Sequence, residues 1–459
     1  PTRRSSDLSK DNYTTVYGDQ RSFKTLSFVP DSLPGHALDI DGGEYAEMPY
    51  SYEMNPDEFT VSFWVKAEDG QGTPRSPVTS RSSTTGFMFY ASGEDRWEFW
   101  TRKGDSVSNK LTGPAVVLDE WVHIAGTYDG TEMCLYVNGE IAGRLDSVSY
   151  VPNTQYPLRI GAGYTEGAAD YFFNGKIDEV KIWNIAKTAE GIRSDINIAL
   201  TGTEPNLVSY WQFSDAGGNT LSDTTGNNDG LLINTEDIDW VGSTIPFGPG
   251  IANAKIVDAA EPVIFDGSGV SMDFTAKTGT DTIVVNKIEF PPNIEPGEPE
   301  SPLNSQYWVI RRYGNGTFTT DISFTLNDDI LENDADFLNS IRLYTRSNTS
   351  DSSWTYVSKA GYVNDVSNTV TFTGITEFGQ MMITRYVLGV PQSVTATAAG
   401  GNLTITWEPV PNKVFYKIFA SDEPYGTFVL ADAVIGESWT TSFSKQKKFY
   451  YIVAVNEAK

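Results

Sequence analysis

Short runs of alternating apolar and polar residues, cut by Gly, Asn and Asp, recur along most of this chain. Residues 59–65 (FTVSFWV) put Phe59, Val61, Phe63 and Val65 on one face and Thr60, Ser62 and Trp64 on the other, the period of two that marks a strand. Residues 121–128 (WVHIAGTY) and 133–137 (MCLYV) are strand-like in the same way, rich in aromatic and β-branched side chains. Asn138-Gly139 follows, a pair that accepts positive φ at both centres of a type I′ turn, so the chain is set to reverse there. Asp41-Gly42-Gly43, Asp69-Gly70, Asp129-Gly130 and Asn174-Gly175 punctuate the same half, and residues 87–90 and 97–101 read as a further hairpin. One stretch departs from the pattern: at 188–200, Thr188 is placed to cap a short helix with Ile192, Ile196 and Leu200 along one side. The pattern predicts hairpins joined in a meander, hence an all-β fold rather than βαβ units.

Three blocks emerge. The first runs from 9 to 247. Gly248-Pro249-Gly250 reads as a linker to a second block, 248–388, with strand candidates at 283–290, 307–312, 318–326, 341–346, 354–357 and 369–372. Their spacing suits another antiparallel sandwich. The third block, 389–459, opens at Val390-Pro391.

Within the first block, EWVHIAGTYDG (120–130), LYVNG (135–139) and GKIDEVKIW (175–183) resemble the laminin G-like, concanavalin A-type jelly roll. The later LVSYWQF (207–213) and DAGGNTLSDTTGNNDG (215–230) are similar to the tail that often accompanies it. That family mostly binds rather than catalyses. In the third block Pro391, the alternating Leu403, Ile405 and Trp407, and Tyr416 with Ile418 resemble a fibronectin type III domain. At about 70 residues against the usual ~100 this unit is expected to be incomplete, without its last strand. ITEFGQMMITR (375–385) resembles the end of a β-domain found in large secreted bacterial proteins. The expected architecture is therefore an antiparallel jelly-roll sandwich followed by two further immunoglobulin-like β-sandwiches.

A net charge of −27 over 459 residues argues against nucleic acid and anionic membrane surfaces as partners, and suits a solvated acidic surface or hard cations. The single cysteine, Cys134, rules out an internal disulfide and is expected in a core. No apolar run approaches the ~20 residues of a membrane-crossing helix. Pro1–Leu8 (PTRRSSDL) matches one reading frame of a common sequencing-adapter oligonucleotide and is set aside as an artefact. A signal peptide is taken to be lost with the true start, and the expected location is secreted or on a bacterial cell surface.

Two sets of side chains are candidates for a site. Asp39 and Asp41 alternate with Leu38 and Ile40 at a strand end, and Asp178 lies between Ile177 and Val180, where a carboxylate needs a partner. The jelly-roll resemblance implies a structural calcium ion, Ca2+, near these segments; the alternative is that Asp178 accepts backbone hydrogen bonds and Asp39 is solvated. For carbohydrate, Tyr90, Trp97, Trp100 and Tyr164 are the aromatic candidates to stack on sugar rings, with Arg96, Glu98 and Arg102 as polar neighbours. Since Trp97 and Trp100 have opposite parity, one of their two faces must be core.

Catalysis lacks its usual signatures. The jelly-roll glycosidase pattern E-x-D-x-x-E is absent, Glu94 and Glu98 have the wrong spacing for it, and His36 and His123 are the only histidines. Residues 329–336 resemble a calcium loop only superficially, with the glycine and terminal glutamate out of place. The expectation is a non-enzymatic binding or adhesion module for carbohydrate or a surface glycoprotein. A structural spacer and, at lower weight, a polysaccharide-active hydrolase are the alternatives.

Overall fold

The computed structural model describes residues 35–459 apart from 71, 106–107, 298–299, 328–329, 331–333, 335–337, 387, 412, 443–447 and 456–459. The octet 1–8, the rest of the stretch before residue 35 and most of 329–336 thus lie outside the described residues.

The first unit is built from β1 (His36–Ile40), β2 (Tyr45–Met48), β3 (Phe59–Ala67), β4 (Val78–Arg81), β5 (Gly86–Ala91) and β6 (Arg96–Arg102). It continues with β7 (Ser108–Ala115), β8 (Trp121–Tyr128), β9 (Met133–Val137), β10 (Glu140–Leu145), β11 (Leu158–Ile160) and β12 (Gly175–Trp183). Helix α1 (Ala189–Asp195) follows, then β13 (Leu207–Trp211), β14 (Thr220–Leu221), β15 (Gly230–Ile233) and β16 (Trp240–Gly242). The strands form two eight-stranded antiparallel sheets. The first has the order β10-β9-β8-β3-β12-β1-β16, with β13 also on β12; the second has the order β14-β15-β2-β11-β4-β5-β6-β7.

Alternation places the side chains as their parity predicts. Phe59, Val61, Phe63 and Val65 of β3 enter the core between the sheets, where Phe87, Phe89, Trp97 and Phe99 of the second sheet meet them. Phe89 and Phe99 stack at 4.7 Å and 12°, with Phe63 edge-on to Phe89 at 5.2 Å. The β9–β10 reversal falls at Asn138-Gly139, with φ of 52° and 80°.

The outer face of the first sheet is buried too, which period-two strands do not reveal. Helix α1, capped by the Thr188 hydroxyl accepting from the Gly191 N–H at 3.2 Å, and the strap 243–247 lie across it. Trp64, Trp121, Cys134 and Tyr136 pack there with Ile192, Ile196, Ile245 and Phe247. Burial, with Glu132 next, pushes the Cys134 thiol up to about 11, as befits an inert core thiol.

The second unit pairs a seven-stranded sheet with a five-stranded one, and the third pairs two three-stranded sheets. Residues 248–250, which read as a linker, are in fact pinned: Gly248 bridges Ile198, and Gly250 opens a strand paired with Ile288. Against this junction sits the outer face of the seven-stranded sheet. Tyr307, Val309, Arg311 and Tyr313 alternate with core residues Trp308 and Ile310, yet all are buried. Tyr313 donates its hydroxyl to the Asn138 carbonyl at 3.2 Å, Arg311 donates to Asn197 at 3.3 Å, and Lys66 pairs with Asp351 at 3.2 Å.

Candidate functional site

The outer face of the second sheet gathers the polar and aromatic side chains that the core rejects. Register places Tyr90 opposite Glu98, Met88 opposite Trp100, and Trp100 opposite Lys110. The loop after β11 crosses this face and is tied down by Thr165, whose hydroxyl accepts from the Arg81 N–H at 3.0 Å, and by Arg159, which donates to the Tyr164 carbonyl at 2.7 Å. Glu166 reaches the Arg81 guanidinium, with Nε donating at 3.2 Å. Arg81 also lies 5.3 Å from the centre of the Tyr164 ring. Trp100 donates its indole N–H to Glu98 at 2.9 Å, and Lys110 pairs with Glu98 at 2.6 Å while standing 5.0 Å over the Trp100 ring. The face thus presents aromatic rings among ion-paired side chains, Arg81 with Glu166 and Lys110 with Glu98, which fix hydrogen-bonding groups in place.

The four predicted aromatics divide. Trp97 is on the wrong face: with Phe87, Phe89 and Phe99 claiming that parity, it is core and 2% exposed. Tyr90 is on the right face but sits beneath Trp100 (5.9 Å) and Tyr171 (6.1 Å), and burial lifts its hydroxyl above the usual phenol range. It supports the surface and does not form it. Trp100 and Tyr164 remain within reach of solvent, Tyr164 at 39% exposure. Of the polar neighbours named with them, Glu98 and Arg102 lie on this face, and Arg96 is exposed at the start of β6. Arg81, Glu166, Tyr171 and Lys110 escape sequence reasoning, because two of them sit on a loop whose path over the sheet no local pattern encodes.

The three predicted calcium ligands do not fit a metal. Asp39 faces Lys176 across the β1–β12 ladder and pairs with it at 3.0 Å, and Lys176 also holds Glu68, so a lysine stands where a cation would sit. Asp41 is exposed, and neighbouring Glu44 raises its carboxyl. Asp178 points into the layer beneath the strap, where its Oδ2 accepts from the Ser243 hydroxyl at 2.5 Å. Burial, then adjacent Glu179, holds its carboxyl well above the usual range. Among the described residues no three His, Cys, Asp or Glu side chains converge as a metal site. His123 is buried in the same layer, its imidazole kept neutral by burial and by Lys181 and Arg311.

Residues 41–193 match the family model described as the concanavalin A-like lectin/glucanases superfamily. They are a concanavalin A-like jelly-roll domain. Pappalysin-1 of Mus musculus is 30% identical to the present chain over 184 residues, a match covering 36% of this chain and 11% of that protein. Among solved structures, a candidate carbohydrate-binding protein of Bacteroides ovatus overlaps 43% of this chain and 57% of its own at 18% identity and a TM-score of 0.36. The module CBM40 of the Ruminococcus gnavus IT-sialidase overlaps 34% of this chain and 93% of its own at 17% identity and a TM-score of 0.29. The jelly-roll assignment rests on the two-sheet topology and the matched segment, not on these partial overlaps.

Proposed function

We propose that the concanavalin A-like domain is a non-catalytic carbohydrate-binding module of a secreted or cell-surface protein. Its ligand is a glycan, free or on a surface glycoprotein, and it binds on the outer face of the second sheet. The observation that carries this reading is the pairing of two solvent-reaching rings, Trp100 and Tyr164, with side chains already locked into ion pairs. Rings of this kind cover the apolar faces of pyranosides at low entropic cost, while fixed carboxylates and guanidinium groups bond the hydroxyls. Catalysis has less support: Glu98 and Glu166 on this face are each engaged by a cation.

A glycan array probed with the full chain tests the reading. W100A should lose about tenfold or more of the affinity for whatever the wild type retains, the usual loss when a central aromatic contact is truncated. Wild-type protein that binds no glycan would overturn the proposal and leave the spacer reading, which the close packing of the first two units favours.

A further inference from the structure

We infer that the jelly roll carries a second saccharide site, away from the sheet face. It is a cleft of about 840 Å³ at the end of the sandwich where the chain crosses from β2 to β3, a size suited to a small ligand. It shares no residue with the Trp100 surface. One wall is the crossover itself, with Tyr50, Tyr52 and Asp57; the other brings Asn184, Asn227 and Asp229 from the end of β12 and the turn before β15.

Both walls are anchored from behind. In the crossover, Met54 is fully buried in the core, and Asn55 donates to the Ser51 carbonyl at 3.0 Å while accepting from the Ser80 hydroxyl at 2.7 Å. That leaves Tyr52 at the tip with 68% of its surface exposed, a large ring held in water by a rigid loop. In the opposite wall, the buried Asp223 carboxylate accepts from the N–H groups of Tyr210 (2.8 Å), Thr225 (2.9 Å) and Asn228 (3.0 Å) and from the Thr225 hydroxyl (2.8 Å). The Trp211 indole donates to the Asn228 carbonyl at 2.9 Å. Two preset walls cost little ordering on binding.

The lining chemistry narrows the ligand. Exposed tyrosine, proline, amides and carboxylates suit a polyhydroxylated ring, and among the described residues neither Lys nor Arg lines the cleft. Glu53, Asp57 and Asp229 make it acidic, so uronate- or sulfate-bearing sugars are repelled. The cleft is thus assigned to neutral or amine-bearing saccharides.

The test compares full-length wild type, Y52A, D57A and W100A on an array of neutral, amine-bearing and anionic glycans, with melting temperatures as the folding control. Y52A and D57A should each lose about tenfold of the signal for a set of non-anionic glycans that W100A retains. No non-anionic ligand in the wild type, or non-anionic signals that Y52A and D57A leave unchanged, would overturn the cleft. Loss in W100A alone would uphold the sheet face and reject the cleft, and loss in Y52A and D57A alone would do the reverse. Tyr52 is 68% exposed, so Y52A is not expected to lower the melting temperature; D57A, also at an exposed position, provides the second reading.

Discussion

Gly126 in β8 faces the stacked pair Phe89–Phe99, and there the core allows no side chain. A Cβ added at this position would lie 2.6 Å from Phe89 Cζ and 2.9 Å from Phe99 Cε1, whereas ordinary van der Waals contact begins near 3.4 Å. The rings would have to yield by about 0.8 Å in a core where Phe59 and Phe63 close on Phe87 and Phe89 from the other sheet. Overpacking of this kind costs about 1–3 kcal/mol, set against roughly 0.5–1 kcal/mol that Ala gains over Gly in a strand. G126A should therefore destabilise by about 1–2 kcal/mol. The diagnostic is a cycle with F89L, which removes the obstructing ring at a cavity cost below the ~3–5 kcal/mol of a Phe→Ala truncation. The double variant should be more stable than the sum of the two losses predicts, by about 1 kcal/mol. Urea denaturation followed by tryptophan fluorescence, with m compared across the four proteins, gives the energies. A neutral or stabilising G126A, or strict additivity with F89L, would refute the steric account.

Three further expectations follow from buried polar groups. Burial raises the Glu179 carboxyl to about 7 from 4.5, against the pull of Lys181 and Tyr210, so the unfolded chain ionises first as pH rises. Folded stability contributed by this group is therefore full below pH 4.5 and declines as pH rises towards 7; denaturation midpoints of wild type and E179Q should diverge over that interval, and parallel curves would contradict it. D178N keeps the acceptor for Ser243 and should shift the melting temperature little, while calcium added to chelator-stripped protein should leave both proteins unmoved; a calcium-dependent rise lost in D178N would restore the ligand role. D223A strips four hydrogen bonds from the turn at 223–229 and should cost about 2–4 kcal/mol by the same urea assay, with D223N costing less.

What the sequence disclosed was whatever depends on neighbours along a strand. The β8–β9–β10 meander, its Asn138-Gly139 reversal, the Thr188 cap and the split of β3 into two faces all follow from local spacing. Parity also separates Trp97 from Trp100, but only the presence of Phe87 and Phe89 on the facing side of β5 decides which of the two is inside. Asp178 shows where this reasoning stops. Its parity puts it on the outward side with Lys176, and an outward side ordinarily meets water, yet a strap more than sixty residues later seals it. The Arg81–Glu166 pair bridges 85 positions, and the two walls of the cleft belong to segments nearly as distant as 50 and 229. Such meetings depend on sheet order, which alternation alone leaves open.

The pinned junction at 248–250 has a mechanical consequence. With the strap 243–247 serving as part of the first unit's covering layer and Gly250 already laddered into the next sheet, no slack chain is left to act as a hinge. A glycan that tugs on the jelly roll would load the neighbouring sandwich directly, and both would swing together. Excising the jelly roll at residue 247 would strip its helix-covered side of the surface formed by Tyr313 and Arg311, so the natural unit of handling is the tandem pair rather than the lone module.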